Sequence, residues 1–264
     1  MKAPLLRVLD RVGLLRPAYG AYERAQAFSA RGKTPDLAAD DLPVPPADLI
    51  VRVAGTPDVD WFLEGGRLAG ESVRGAAARA GRELESLGAL LDFGCGCGRV
   101  TRRWRSLNGV AVHGSDANAD AIEWCRRHLP FGEFVVNTLE PPLDYPDETY
   151  DLVYALSVLT HLPEELGLAW RDELRRVLRP GGLLVLSTHG PAYRERMDDG
   201  ERERFDRGEL VVRWESAAGT NLCSAYHPHD YVRPPLAEGF ELVDLVPEGA
   251  TGNPYQDLSV LLKT

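Results

Sequence analysis

The chain predicts an α/β fold with a doubly wound, mostly parallel sheet, and three observations carry that expectation. Short apolar strands alternate with helical segments between Ala89 and Thr188. The stretch "ALLDFGCGCGRV", Ala89 to Val100, joins a strand to a helix through glycines at 94, 96 and 98. The 264 residues, 44% hydrophobic and 27% charged, suffice for one large core with an appendage.

The elements follow in order. Leu5, Leu6, Val8, Leu9, Val12, Leu14 and Leu15 recur near helical spacing, and Pro17 is expected to end or kink that helix. A second helix is expected over Ala18 to Ala30, with Tyr19, Tyr22 and Phe28. The pair reads as helices packed on the main domain, with a lid or a dimer contact as the sharper alternative. "TPDLAADDLPVPPADLIVRVAGTPDVD" is rich in Pro and Asp and reads as an extended linker with little regular structure. Residues 1–60 are therefore taken as a helical N-terminal extension with its linker, and residues 61–264 as the main domain.

Trp61 to Leu87 is helical in pattern. Strands are expected at Ala89–Phe93, Val110–Gly114, Glu133–Val136, Asp151–Ala155 and Leu183–Thr188, with helices at Arg99–Ser106, Asn118–His128 and Pro163–Leu178 between them. "PAYRERMDDGERERFDRGEL" reads as a charged, exposed helix and "LVVRW" as a short strand. Gly239–Val246 and Asp257–Leu262 form two final strands, joined closely enough to pair antiparallel.

Composition narrows the function. Forty acidic against thirty basic residues give a net charge of −10, which argues against general binding to nucleic acid or an anionic membrane. The four cysteines show no paired framework, and Arg7, Asp10, Arg11 and Arg16 interrupt any leader-like apolar run, so a reducing cytoplasm is the expected setting.

Glycines at a strand-to-helix junction let a ligand approach bare backbone at the carboxyl end of the first strand, and permit positive φ. The spacing is D-x-G-x-G-x-G, from Asp92 through Gly94, Gly96 and Gly98, and not the G-x-G-x-x-G of dinucleotide-binding proteins. Further on, "VAVHGSDANADAIEWCRRH" sets Asp116 just past a second strand, where a carboxylate can accept both hydroxyls of a ribose. "YDLVYALSVLTHLPEE" and "ELRRVLRPGGLLVLSTHG" follow. These four ordered motifs, from Leu90 to Gly190, resemble those of the class I S-adenosylmethionine-dependent methyltransferases, in particular the bacterial small-molecule type. The resemblance implies a Rossmann-like, seven-stranded sheet with an antiparallel last strand, and a substrate cap inserted around residues 191–235.

The resemblance also assigns roles toward S-adenosyl-L-methionine. Asp92 orders the loop and meets the methionyl amino group, directly or through water. Gly94 and Gly96, with Cys95 and Gly98 in the same loop, face the methionine and ribose portion. Asp116 binds the ribose. Adenine lies between Ala117 and the segment Asn137, Thr138 and Leu139, where Asn137 stands in for the more usual Asp as acceptor for the adenine amino group. Ala155, Leu156 and Ser157 line the methyl-donor side. Cys95 and Cys97 form a C-x-C inside a loop committed to another task, so no metal is expected there.

Methyl transfer from a sulfonium is an in-line displacement that needs positioning more than activation, with a general base where the acceptor is a hydroxyl. His161, His189 and His227 are the candidates, the last in "SAYHPHDYV". Each also reads as a structural histidine, and His227 with His229 and Asp230 supplies too few fixed ligands for a metal. Trp61 or Phe62 is placed over the donor or in the core. Arg99, Arg102, Arg103 and Arg105 are expected on a solvated helix face. The expected activity is methylation of a small-molecule acceptor, oxygen before nitrogen, by a monomer or homodimer, with a glycan or secondary-metabolite setting loosely suggested. The alternatives are a binding protein without transfer and a nicotinamide-dependent oxidoreductase. A nucleic-acid methyltransferase is disfavoured by the acidic charge and by "ALSVLTH" where an N-P-P-Y-like tetrapeptide would stand.

Overall fold

The computed structural model describes residues 3–30, 37, 38 and 40–264; residues 1, 2, 31–36 and 39, the last four of them (34–36 and 39) in the expected linker, lie outside the described residues. Strand β1 (Ala89–Phe93) is buried at every position and stands at the centre of the sheet. Its apolar residues leave no polar face, as a parallel strand covered on both sides requires. It pairs in parallel with β2 (Ala111–Asp116) on one side and β4 (Tyr150–Ala155) on the other. β3 (Glu133–Val136) lies outside β2, and β5 (Leu178–His189) outside β4, both parallel. β9 (Gln256–Lys263) runs antiparallel to β5, and β8 (Phe240–Val246) antiparallel to β9. The last strand is thus reversed, as expected. Two short strands, β6 (Val211–Arg213) and β7 (Ser224–Tyr226), form a hairpin that joins the upper end of β5 through the His189–Tyr226 pair. Among the described residues the sheet therefore has nine strands where seven were expected. The two additional ones belong to the segment after β5.

Helix α1 (Ala3–Arg11) turns at Gly13, φ +69°, into α2 (Leu15–Ser29). Pro17 does not end a helix: it lies in the first turn of α2, where its missing N–H has no partner to lose. The Pro- and Asp-rich segment is not wholly extended either. It contains helix α3 (Ala47–Ala54), which begins after Pro46, ends at Gly55 in the left-handed region, and buries Leu49, Ile50 and Val51. Helix α4 (Val59–Arg79) is N-capped by the Asp58 side chain, which accepts from the Trp61 amide at 3.0 Å.

Helix α5 (Ala119–His128) follows β2, with Asn118 as its N-cap, and α6 (Glu164–Val177) precedes β5. The charged stretch after β5 divides into a 3₁₀ turn, Pro191–Arg196, and α7 (Asp199–Asp206), which opens with a capping box between Asp198 and Glu201. One face of the sheet packs on α4 through Val73, Ala76 and Ala77, and the other on α6 through Trp170, Leu174 and Val177. A third apolar cluster joins α3, α5 and the glycine turn, through Ile50, Ile122, Cys97 and Cys125. No helix among the described residues is long and apolar enough to cross a membrane.

The expected helix after the glycines is only a 3₁₀ turn, Thr101–Trp104, and of the arginines there only Arg105 is exposed, whereas Arg99 and Arg102 are buried and Arg103 is half-buried. Arg102 is 1% exposed and donates from Nε and Nη2 to Asp40, each at 2.7 Å. Arg103 donates to the Leu63 carbonyl at 2.8 Å, and Arg105 to the Asp40 carbonyl. These side chains bind the N-terminal segment and α4 to the sheet.

Candidate functional site

A cleft of about 800 Å³ opens at the carboxyl ends of β1, β2, β3 and β4. Its floor is the glycine turn. Gly94, Gly96 and Gly98 have φ of +78°, +53° and +75°, a region that L side chains seldom occupy. Each is also crowded by protein: a Cβ would meet Val158 Cγ2 at 2.3 Å, Val53 Cγ2 at 2.4 Å and Leu129 Cδ1 at 2.4 Å, respectively. Gly94 and Gly96 line the cleft, whereas Gly98 lies against α5 away from it, so its glycine serves packing and not a ligand.

Asp116 ends β2. Its Oδ2 accepts from the Gly96 amide and its Oδ1 from the Asn118 amide, each at 2.8 Å. The carboxylate so braces the glycine turn against the next helix and retains free lone pairs in the cleft. Burial raises its pKa, and the two amides work against that rise. Asp92 is 4% exposed and accepts from the Thr101 hydroxyl at 2.5 Å. Burial lifts its pKa to about 6, while Thr101 and Tyr154 hydroxyls oppose the lift and the Asp116 charge adds to it. Such a carboxyl gains from a cation placed beside it.

Ala117, Asn137, Thr138 and Leu139 line one side of the cleft. Asn137 donates from Nδ2 to the Thr138 carbonyl at 2.6 Å, while its Oδ1 is buried without a partner. An orphaned acceptor at that depth is satisfied by an exocyclic amino group, so the residues fit an adenosyl ligand there. Leu156 and Ser157 line the cleft beyond β4, but Ala155 does not: it is 0% exposed, inside the core beneath. Cys95 lines the cleft and is 4% exposed, its Sγ lying 3.6 Å from the Gly96 carbonyl. Trp61 lines the cleft and is 44% exposed, whereas Phe62 is buried among the α3 and α5 side chains.

Of the three histidines, only His161 lines the cleft. Its Nδ1 lies 2.7 Å from the Cys223 carbonyl. A carbonyl only accepts, so Nδ1 carries the proton and Nε2 presents a lone pair. That Nε2 faces Ser157 Oγ at 3.4 Å. Burial lowers the His161 pKa, partly offset by the Cys223 carbonyl, which keeps the ring neutral near pH 7. Ser157 holds a left-handed φ of +60°, a strained conformation for a residue with a Cβ. It is fixed there by its amide donating to Ser187 Oγ at 2.7 Å and by Gln256 Nε2 donating to its Oγ at 2.9 Å. Gln256 is oriented in turn by Ser187, whose hydroxyl donates to its Oε1 at 2.7 Å.

His189 and His227 do not reach the cleft. His189 is 7% exposed, with its ring 4.1 Å from that of Tyr193 and 5.6 Å from that of Tyr226. Its pKa falls to about 3, through burial first and then the nearness of His161 and His227. His227 is 3% exposed and falls to about 4 through burial. Both are neutral rings packed in the wall behind the cleft. His229 is tied to Asp257 at 2.7 Å.

The mouth is closed on one side by α2 and by the segment after β6. Arg16 Nη2 donates to the Ala218 carbonyl at 2.8 Å, and Ser216 Oγ to Asp10 at 2.5 Å. The Gly219 amide donates to the His161 carbonyl at 2.8 Å, and Asn221 Nδ2 to the Arg52 carbonyl at 2.8 Å. Arg16, Glu23, Asn253 and Gln256 all line the cleft and were not expected from sequence. They come from α2, from the β8–β9 connection and from the first residue of β9, whose nearness to the glycine turn depends on the whole topology.

Residues 91–186 match a family model described as a methyltransferase domain. Over 100 residues the chain is 34% identical to a sterol 24-C-methyltransferase of Gibberella zeae, an alignment covering 36% of this chain and 26% of that protein. Over 146 residues it is 28% identical to a malonyl-acyl-carrier-protein O-methyltransferase of Pectobacterium atrosepticum, covering 54% and 50%. The chain thus spans between a quarter and a half of the length of these two curated relatives. The solved structure of the CcbJ methyltransferase from Streptomyces caelestis has the same fold, with a TM-score of 0.54 at 18% identity, covering 75% of this chain and 90% of that one.

Proposed function

We propose that this chain, residues 91–186 of which match a methyltransferase-domain model, uses S-adenosylmethionine to methylate a hydroxyl of a small-molecule acceptor with His161 as general base. The observation that carries the choice of oxygen is the His161 tautomer: with Nδ1–H held by Cys223, Nε2 is the basic nitrogen, 3.4 Å from the Ser157 hydroxyl and on a residue that lines the cleft. A neutral amine acceptor, such as an aromatic one, already has a lone pair and needs no such group. The two curated relatives act on different atoms by name, one on carbon and one on oxygen, so the choice rests on the site.

When bound, the donor supplies an activated methyl group on a sulfonium. The protein's own residues bind, orient and exclude water. Asp116 accepts the ribose hydroxyls, Asn137 Oδ1 accepts from the adenine amino group, and the Gly94–Gly96 backbone allows close approach. Asp92 faces the methionyl ammonium. His161 Nε2 takes the acceptor proton as the oxygen attacks, and Cys223 stabilises the resulting imidazolium through Nδ1–H. Residues 191–235, with the β6–β7 hairpin, serve as the acceptor cap. A bacterial cytoplasm suits four cysteines that are all free and buried.

The test is calorimetry with S-adenosylhomocysteine and NAD, followed by turnover with S-adenosylmethionine against panels of small phenols, sugars, carboxylates and amines. Binding of the homocysteine nucleoside alone, with turnover on a hydroxyl acceptor, supports the reading. Binding of NAD instead overturns it, and turnover confined to amines overturns the choice of oxygen.

A further inference from the structure

We propose that the outward face of α1 docks the chain on an anionic lipid surface, an inference independent of the reaction proposed above. Leu6 and Leu9 of this helix face the protein, where they pack with Leu15, Trp214, Ala217 and Leu222. The helix is apolar a second time on its other side. Leu5, Val8 and Val12 follow one another at spacings of three and four, so they form one stripe. These three, with Leu14 just beyond the turn at Gly13, are each more than half exposed. Single exposed apolar residues are ordinary, but four within ten residues make a patch, and a helix apolar on two faces calls for a cover on both.

Charge is the second, independent observation, and it selects the cover. The chain as a whole carries −10, yet residues 1–16 hold Lys2, Arg7, Arg11 and Arg16 against Asp10 alone, a net charge of +3. Exposed charges more than about 10 Å away are largely screened at ordinary salt, so a docking surface meets this local excess and not the total.

The basic residues stand where such a surface would meet them. At about 100° of turn per residue, Arg11 lies about 60° from Val8 and Arg7 about 100° from it, both on the edge of the stripe opposite Leu9. Arg7 and Arg11 are exposed, and among the described residues no carboxylate lies within ion-pair distance of either. Elsewhere exposed arginines are answered by acids, as Arg67 is by Glu64 and Glu71, and Arg194 by Asp206. Asp10, the one acid of the segment, is turned inward and accepts from the Ser216 hydroxyl at 2.5 Å. The outward face of α1 therefore joins an apolar stripe to a basic edge with no acid of its own.

An anionic bilayer complements both parts. The apolar side chains enter the boundary between headgroups and acyl chains, and the guanidinium groups stay among the phosphates. A second copy packed antiparallel, stripe to stripe, about a two-fold axis would instead set the two basic edges side by side with no acid to meet them. The stripe is only about two turns long, so the attachment is weak and reversible. Arg16, two residues past Leu14, lines the cleft, so the docking helix stands beside the cleft mouth.

The experiment is sedimentation of the full chain with sucrose-loaded vesicles, either pure phosphatidylcholine or an equal mixture of phosphatidylcholine and phosphatidylglycerol, at about 0.1 M salt. The wild-type protein is expected to partition onto the anionic vesicles at least about tenfold more strongly than onto the neutral ones, from about fivefold for each basic residue near the surface. Arg7→Gln with Arg11→Gln should lower the anionic partitioning by about ten- to thirtyfold and leave the neutral value within about twofold. Val8→Ser with Val12→Ser should lower the anionic partitioning by about tenfold at unchanged charge. All four side chains are exposed, so both double variants should unfold within a few degrees of the wild type. A polarity-sensitive dye on Val8→Cys, the four native cysteines being buried, should shift to shorter wavelength on anionic vesicles. No partitioning, equal partitioning onto the two vesicle types, or double variants that partition as the wild type does overturn the proposal. So does a dimer in sedimentation equilibrium that Val8→Ser with Val12→Ser dissolves and anionic vesicles do not, which assigns the stripe to a second copy.

Discussion

His161 and Cys223 are separated by 62 residues in the chain, yet the Nδ1 of one lies 2.7 Å from the carbonyl oxygen of the other. That single contact selects which ring nitrogen is basic. It also sets the first expectation. Replacing His161 by Gln should lower kcat with a hydroxyl acceptor by about a hundredfold or more, while S-adenosylhomocysteine affinity stays within about twofold. In the wild type, kcat/KM should rise through an apparent pKa below the ordinary histidine value and level off by neutral pH, because burial lowers the pKa of His161. A rate flat across pH 5 to 8 would remove the general base.

Asp116 should be sensitive to charge more than to shape. Asp116→Asn keeps an oxygen for one of the two backbone amides that the carboxylate now accepts. Affinity for S-adenosylhomocysteine is expected to drop by about ten- to a hundredfold, the cost of weakening charge-assisted bonds to two hydroxyls. The thermal midpoint, measured alongside, should move by only a few degrees. Equal binding by variant and wild type would separate Asp116 from the ribose.

Gly96→Ala combines a φ of +53° with a Cβ 2.4 Å from Val53 Cγ2. The conformational part alone costs about 1–2 kcal/mol, and the overlap adds to it. Val53→Ala relieves only the overlap. The double variant should therefore recover part of the stability lost by Gly96→Ala, as read from denaturant unfolding. Simple additivity of the two changes would show that α3 does not press on the glycine turn.

Stability should fall as the solution is acidified from pH 7 toward pH 4. His189 and His227 titrate near 3 and 4 in the folded chain, against about 6.5 when unfolded. Depressed folded values mean that the unfolded state takes up protons first, so their contribution is present above pH 6.5 and is lost as pH drops. Asp92, raised to about 6, has the opposite sign: its contribution is present below the unfolded carboxyl value and is lost as pH rises through 6. A variant isolates the histidine part. His189→Phe should show a shallower loss of denaturation midpoint between pH 7 and pH 4 than the wild type.

The sequence was most legible where local pattern and tertiary role coincide. Ala89–Phe93 is apolar throughout and bounded by glycine, and it is β1 to the residue. Asn118 announces α5, and the reversed final strand follows from a connection too short to cross the sheet. Helix α3 was hidden because Pro45, Pro46 and Asp48 read as linker, although Pro before a helix and Gly55 after it are boundary signals. The arginines after the glycines were misread because charge in sequence says nothing of a partner 62 residues away, as Asp40 is for Arg102. Gln256 and Asn253 carry no local mark at all. Their place at the cleft comes from β9 running back beside β5, a long-range pairing that no window of sequence contains.

The segment from Ser216 to Cys223 is pinned at one end to the amino-terminal helices, through Asp10 and Arg16, and at the other to both the backbone and the ring of His161. One short stretch of chain thus carries both the tether to the amino-terminal helices and the carbonyl that chooses the His161 tautomer, so a substitution at Asp10 or Arg16 bears on the same stretch that orients the imidazole.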